Sequence, residues 1–200
     1  MIKTADFYQP QAYGLNEYIL LAKPDEAIHE KLIAERKIFY DEYKETFSEK
    51  NAPHIKIANF FAKEEMEETI LRWMQRIFSM QQSFSVTLNN YCGFPPHTIY
   101  LRVQNARPFD KLAKELSVIN NYVSSCSCPP MKIFSNPHLS IAKKLPEAVF
   151  FKALTQYAHK SFHESFLVNE LLLIKRKHAG EECKPVTLFA LQPVSHQLIS

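Results

Sequence analysis

The chain is poor in glycine: Gly14, Gly93 and Gly180 are the only three in 200 residues. Neither a Walker loop nor the glycine-rich turn that cradles a dinucleotide can be built from them, which removes most nucleotide-cofactor readings. Long apolar runs are missing as well. The first ten residues carry Asp6, Tyr8 and Gln9 where a secretory leader needs an apolar core, so the expectation is a soluble cytoplasmic protein without a membrane span. Cysteine is sparse, and Cys126-Ser127-Cys128 lacks the separation of a zinc knuckle; Cys92, Cys126, Cys128 and Cys183 are expected to be reduced thiols. His159 and His163 have the spacing of a helical metal pair, but no Glu follows His159 and Ser161-Phe162 reads as a helix end. They are expected on the surface, and no metal site is expected. A formal charge of +3 is too small to indicate nucleic-acid binding, though it permits a local basic groove.

The chain does contain a repeated motif. Pro53-His54-Ile55-Lys56-Ile57-Ala58 and Pro137-His138-Leu139-Ser140-Ile141-Ala142 share a Pro-His-x-(Lys/Ser)-Ile-Ala pattern, with the histidines 84 residues apart, at 54 and 138. Apolar residues alternate with the histidine and the polar residue two positions on, the period of a strand with one packed and one open face. Each histidine then shares a face with its Lys56 or Ser140. Two such strands meeting at one groove would bring two imidazoles and two phosphate-holding groups together, enough for acid and base work on a phosphodiester.

The rest of the sequence supplies a scaffold of 46% hydrophobic residues, ample for a core. Tyr18 to Lys23 reads as a strand, and Pro24-Asp25-Glu26 opens a helix running to about Phe47 with Ile28, Leu32, Phe39 and Tyr43 on one side. A motif strand from His54 to Phe61 precedes a helix with Met66, Ile70, Trp73 and Ile77 inward. Phe84 to Asn90 and Thr98 to Gln104 read as antiparallel strands around the Gly93-Phe94-Pro95-Pro96 turn. Phe109, Leu112, Leu116, Ile119 and Val123 mark a further helix before Pro129-Pro130. The second motif strand, His138 to Ala142, leads to a helix begun by Pro146, with Val149, Ala153, Leu154 and Tyr157 inward, and then to a strand pair, Phe166 to Ile174 and Val186 to Leu191. The order motif strand, helix, strand, strand thus occurs twice. It predicts an α+β fold: a duplicated, bilobal unit with two pseudo-symmetric antiparallel sheets, helices outside and a central cleft. The whole chain, 1–200, is expected to be one domain, with lobes near 15–128 and 129–195 that exchange strands.

Two His-x-polar motifs, each preceded by Pro, followed by Ile-Ala and set in the same element order, resemble those of the two-histidine phosphoesterase superfamily, often called the 2′-5′ RNA ligase family. The resemblance runs from Tyr18 to about Gln192. It implies two pseudo-symmetric lobes, each giving a His-x-Ser/Thr motif to a central cleft. His138 and Ser140 match the second motif, with Phe134, Pro137, Leu139 and Ile141 around them, and His54 matches the first. Lys56 departs from it: an ammonium stands where the family usually has a small hydroxyl, able to bind phosphate by charge but larger and opposed to protonation of a nearby imidazole.

By the resemblance, His54 and His138 are the catalytic pair, one a base on water or a ribose hydroxyl and the other an acid toward the departing oxygen, with the roles unassigned. Lys56 and Ser140 would hold the nonbridging oxygens. If His97, Ile99, Leu101 and Val103 pack inward, Thr98, Tyr100 and Arg102 face the other way. Tyr100 and Arg102 then either bind substrate, by stacking a base and pairing a phosphate, or coat a sheet. Tyr18 and Phe60 pose the same choice, while Lys175-Arg176-Lys177 reads as a solvated turn. No metal and no cofactor are expected. The implied partner of a monomeric protein is an RNA end or a small cyclic-phosphate nucleotide, and a non-catalytic RNA-end or nucleotide binder of the same fold is the alternative.

Overall fold

A computed structural model describes residues 14–45, 52–178 and 180–194. The chain begins with β1 (Leu15–Ala22), α1 (Glu26–Tyr43) and β2 (Ile55–Lys63), then passes through a short 3-10 turn (Glu64–Met66) into α2 (Glu67–Phe78). The hairpin β3 (Phe84–Phe94) and β4 (Thr98–Val103) precedes α3 (Arg107–Glu115), α4 (Ser117–Ser125) and the two-residue β5 (Lys132–Ile133). The second motif strand, β6 (His138–Ala142), is followed by α5 (Glu147–Tyr157), β7 (His163–Val168), β8 (Glu170–Arg176) and β9 (Lys184–Ala190).

The α+β architecture is the expected one. The strands lie in the order β7-β3-β4-β6-β2-β1-β8-β9, with β5 added to β2, and the pairings between these strands are antiparallel. The sheet has two four-stranded halves, β7-β3-β4-β6 and β2-β1-β8-β9, joined where the two motif strands meet at Ile55 and Leu139. The β2-β1-β8-β9 half takes its strands from the two ends of the chain, and the β7-β3-β4-β6 half takes its strands from the middle. A sequence of strand, helix, motif strand and helix recurs as β1-α1-β2-α2 and as β4-α3/α4-β6-α5.

Local rules account for the main elements. Asp25 caps α1 by accepting the Ile28 amide at 3.0 Å, and Ile28, Leu32, Arg36 and Phe39 form its buried stripe. That stripe lies on β6. Gly93 is required by packing: a Cβ there would stand 2.9 Å from Leu154 Cδ1 and 2.9 Å from Phe150 Cζ of α5. Phe109, Leu112, Leu116, Ile119 and Val123 are all buried as the periodicity predicts, although the helix is divided at Leu116 into α3 and α4.

Three expectations need correction. The run Phe166 to Ile174 is not one strand: it breaks at Asn169 into β7, which pairs with β3, and β8, which pairs with β1 and β9 in the other half. Trp73 is not core. The buried face of α2 is Ile70, Met74 and Phe78, whose spacing seats Phe78 against Phe189 at 5.1 Å, while Trp73 is 37% exposed and meets Tyr122 at 5.1 Å. Finally, α1 ends at Tyr43, and Phe47 lies outside the described residues. His159 and His163 are exposed as expected, one after α5 and the other opening β7.

Candidate active site

Proline shapes both motifs before the histidine is reached. Pro53 and Pro137 are buried, and each restricts the residue before it to extended backbone. In both motifs the imidazole Nδ1 then reaches the carbonyl of that preceding residue: His54 to Ala52 O at 2.8 Å, and His138 to Asn136 O at 2.9 Å. A carbonyl only accepts, so Nδ1 carries the proton and donates it. In the neutral ring this leaves the lone pair on Nε2. Both imidazoles are therefore set in the same tautomer by the same local device.

Sheet register then brings the motifs together. Ile55 is paired antiparallel with Leu139, and both are fully buried on the helix side. Alternation turns His54 and Lys56, and likewise His138 and Ser140, to the opposite face. Antiparallel pairing about Ile55 and Leu139 sets position 54 across from 140 and 56 across from 138, a local two-fold relation. On the neighbouring strand β4, Tyr100 lies across from Ser140 and Arg102 across from His138, so these also share the histidine face. Tyr100 stacks on Phe94 at 4.2 Å, and the two rings stand 5.0 and 4.9 Å from that of His138. Arg102 is exposed. All six residues singled out from the sequence thus lie on or beside one face.

On the other side of the histidines a cavity of about 640 Å³ opens, lined by His54, Lys56 and Lys143, with Ile19, Leu21, Leu172 and Ile174 as its apolar floor. His138 and Ser140 do not line this cavity; they stand on the aromatic side. The Lys56 ammonium lies 5.5 Å from the centre of the Phe134 ring, with Lys132 5.3 Å from the same ring.

The face is electropositive. Burial pushes His54 down to about 4, although its bond to Ala52 opposes this, and the charges of Lys143, Lys56 and Arg36 add to the depression. His138 is lowered for the same reasons: burial first, then Lys143 and Lys56. Lys143 itself is pulled down to about 8 by desolvation within the cleft and by Lys56 and Arg36. Lys56 is lowered by burial, with Glu17 opposing. Near neutral pH both imidazoles are thus uncharged, and a site already crowded with cations favours an anion. Among the described residues no group of three His, Cys, Asp or Glu side chains could hold a metal ion.

Several residues here escape a reading of the sequence alone. Arg36 is buried on α1, and its Nε and Nη2 both donate to the Ser140 carbonyl, at 3.1 and 2.7 Å. The available signal was a cation at the i+4 position of an apolar stripe. Arg176 is not part of a solvated turn: it ends β8 and lines the cavity in alternation with Leu172 and Ile174. Lys175 points the other way, to Glu67 and Glu64. Tyr18 and Phe60 do not face the cleft. They are buried and stacked at 5.1 Å, with the Tyr18 hydroxyl donating to Glu67.

A family model for the 2′-5′ RNA ligase superfamily matches residues 24–180. The chain belongs to the 2′-5′ RNA ligase superfamily. Among solved structures, LigT of Escherichia coli in complex with 3′-AMP aligns with a TM-score of 0.67 at 19% identity, over 88% of this chain and 98% of that one. The same protein in complex with ATP gives 0.62 at 19% identity, over 89% and 99%. A protein of Thermus thermophilus gives 0.63 at 14% identity, over 90% and 100%. At such identities these likenesses establish the fold. A search of curated proteins finds no match. Among the described residues no helix is long and apolar enough to cross a membrane.

Proposed function

We infer that the protein is a two-histidine phosphoesterase that needs no metal, acting on 2′,3′-cyclic phosphate or 2′-5′ phosphodiester bonds of RNA ends or nucleotides. The observation that carries this reading is the matched pair of imidazoles, each oriented by a carbonyl two residues back and both set on one sheet face about the Ile55–Leu139 pair. In hydrolysis of a 2′,3′-cyclic phosphate, the Nε2 of one histidine takes a proton from water as the water oxygen bonds to phosphorus. The other, protonated, histidine gives its proton to the ribose oxygen as the P–O bond breaks. One proton enters the pair and one leaves it. Ser140, Lys56 and Lys143 hold the nonbridging oxygens as negative charge accumulates on them. The arriving phosphate also supplies the negative charge that lets one of the two depressed imidazoles take up its proton.

The experiment is turnover of a 2′,3′-cyclic nucleotide in the presence of a chelator. His54→Ala and His138→Ala should each lower the rate by roughly two to four orders of magnitude. Full activity in either variant, or abolition of wild-type activity by the chelator, refutes the mechanism. The depressed imidazoles and the ammonium at position 56 favour one alternative, a binder of RNA ends or nucleotides without turnover. A wild type that binds nucleotide and is inert toward every cyclic phosphate and 2′-5′ bond offered would establish it.

A further inference from the structure

The cleft is symmetric at the histidines and asymmetric on either side of them. On the His138 side stand the aromatic rings of Phe94 and Tyr100. Among the described residues no Phe, Tyr or Trp lines the cavity on the His54 side. At about 640 Å³ it falls in the range of ~300–1,000 Å³ that accommodates whole small ligands, so one phosphate between the histidines would leave most of it empty. Its floor is aliphatic and its polar wall is basic.

Arg176 in that wall is held in place. Its Nε donates to Glu17 Oε2, while Asn59 donates to Glu17 Oε1 at 2.6 Å. The carboxylate is thereby braced from a second strand, and the Nη groups of Arg176 have no partner among the described residues. Lys56 makes no ion pair among the described residues; its ammonium lines the same cavity as Arg176 and feels the Glu17 carboxylate first and the Arg176 guanidinium next. Lys23 and Lys143 bring the cations of the lining to four. Two carboxylates are also present in this wall. Glu181 is turned to its own loop, accepting the amides of Lys177 and His178; with Glu182 it puts two negative charges in the wall, and the Glu17 carboxylate paired with Arg176 is a third beside it.

We propose that Arg176 and Lys56 form a second anion subsite beside the histidines, for a phosphate of the substrate other than the one that reacts. A braced guanidinium with its outer nitrogens open is suited to two-point binding of phosphate oxygens, and an adjacent ammonium supplies a point charge. The unusual Lys56 thereby acquires a specific role: it lines the cavity together with His54 and Arg176, and bridges the reacting phosphate and its neighbour. The preferred ligand is a nucleotide bearing two phosphates, either an oligonucleotide end with an internal phosphodiester or a nucleotide with a further terminal phosphate. The assignment rests on the proposed reading of the histidine face as a phosphate site.

Binding tests the subsite without requiring turnover. Calorimetry with 3′-AMP, adenosine 3′,5′-bisphosphate and the dinucleotide ApAp compares one phosphate with a second terminal or internal one. The wild type should bind at least one two-phosphate probe ten-fold or more tighter than 3′-AMP, and which probe wins identifies the source of the second phosphate. The Glu17→Gln/Arg176→Gln pair keeps the net charge and a side-chain hydrogen bond across the strands. It should abolish the preference, as should Lys56→Gln, while Lys152→Gln on the outer face of α5 should not. Equal affinity for all three probes, or a preference that survives both Gln variants, overturns the subsite. A wild type that shows the preference but hydrolyses no cyclic phosphate would sink the catalytic reading and leave the subsite standing.

Discussion

Acid should destabilise this protein through His54, by an amount that a single substitution isolates. Its imidazole is lowered from 6.5 to about 4 in the folded chain, mainly because burial disfavours the charged ring. Between those values the unfolded chain binds a proton that the folded chain refuses. The associated stability is therefore present above pH 6.5 and lost as the pH falls toward 4. At 1.36 kcal/mol per pH unit, the full shift corresponds to about 3.4 kcal/mol, of which about 2.5 kcal/mol appears between pH 7.5 and 4.5. His54 is partly open to the cleft, so solvent screening makes this an upper figure. For a chain of this size it amounts to a relative fall in Tm of about 5–10 °C.

His54→Asn is the informative comparison, because its side-chain amide can still donate to Ala52 O but cannot titrate. Carboxylates and His138 titrate in both proteins, so the difference between the two stability curves reports position 54. Measured by urea unfolding from pH 7.5 to 4.5, the wild type should lose about 2.5 kcal/mol relative to the variant. Millimolar inorganic phosphate should narrow the gap, since a bound anion makes the charged imidazole less unfavourable. Parallel curves for the two proteins would show that His54 is not desolvated in the fold, and the electrostatic account of the cleft would fail with it.

Lys56→Thr should retain cyclic phosphodiesterase activity within about ten-fold while weakening anion binding and flattening its salt dependence; an inert wild type rescued by Thr would mean that Lys56 blocks the site. The same substitution should raise the titration midpoints of both His54 and His138 in a proton NMR titration, because one ammonium depresses both rings, and movement of only one resonance would contradict a shared site. Arg36→Met deprives the buried Ser140 carbonyl of two charge-assisted donors and should cost about 1.5–3 kcal/mol in denaturant unfolding. Gly93→Ala drives a methyl into Leu154 and Phe150 and should cost about 1–3 kcal/mol; an unchanged Tm would show that α5 does not approach β3 so closely.

What could be read from the sequence was what is local. Proline, histidine and alternating apolar residues mark the two motif strands within six residues each, and the helices declare themselves by spacing and by the Pro24-Asp25 start. Non-local pairing was much less legible. Nothing in Phe166 to Ile174 announces that the chain breaks at Asn169 and sends β7 and β8 to opposite halves of the sheet, because both parts are equally good strand sequences. Arg36 and Arg176 were hidden for a related reason. A charged side chain in an amphipathic segment is normally solvated, and only the tertiary fold shows that α1 lies against β6 and that β8 borders the cavity. Trp73 misled in the opposite sense. A large aromatic on a helical stripe suggests core, yet the stripe that packs is displaced to Met74 and Phe78.

The arrangement of strands also indicates how one scaffold handles symmetric chemistry and an asymmetric substrate. The two histidines come from equivalent strands, β2 and β6, and their orienting bonds are alike to within 0.1 Å. An acid and a base that exchange roles between the forward and reverse directions of one reaction benefit from such equivalence. The strands beside them are β1 and β4, occupying equivalent places in the two halves. Here the equivalence ends. β1 offers Ile19 and Leu21 to the cavity, whereas β4 sets Tyr100 beside His138 and Arg102 across from it. On the proposed reading, a nucleotide in this cleft would meet aromatic rings in one direction and aliphatic groups with cations in the other, and would bind in one orientation. On that reading the paired motifs would fix where protons move, and the residues on β1 and β4, free of that constraint, would determine which end of the substrate lies on which side.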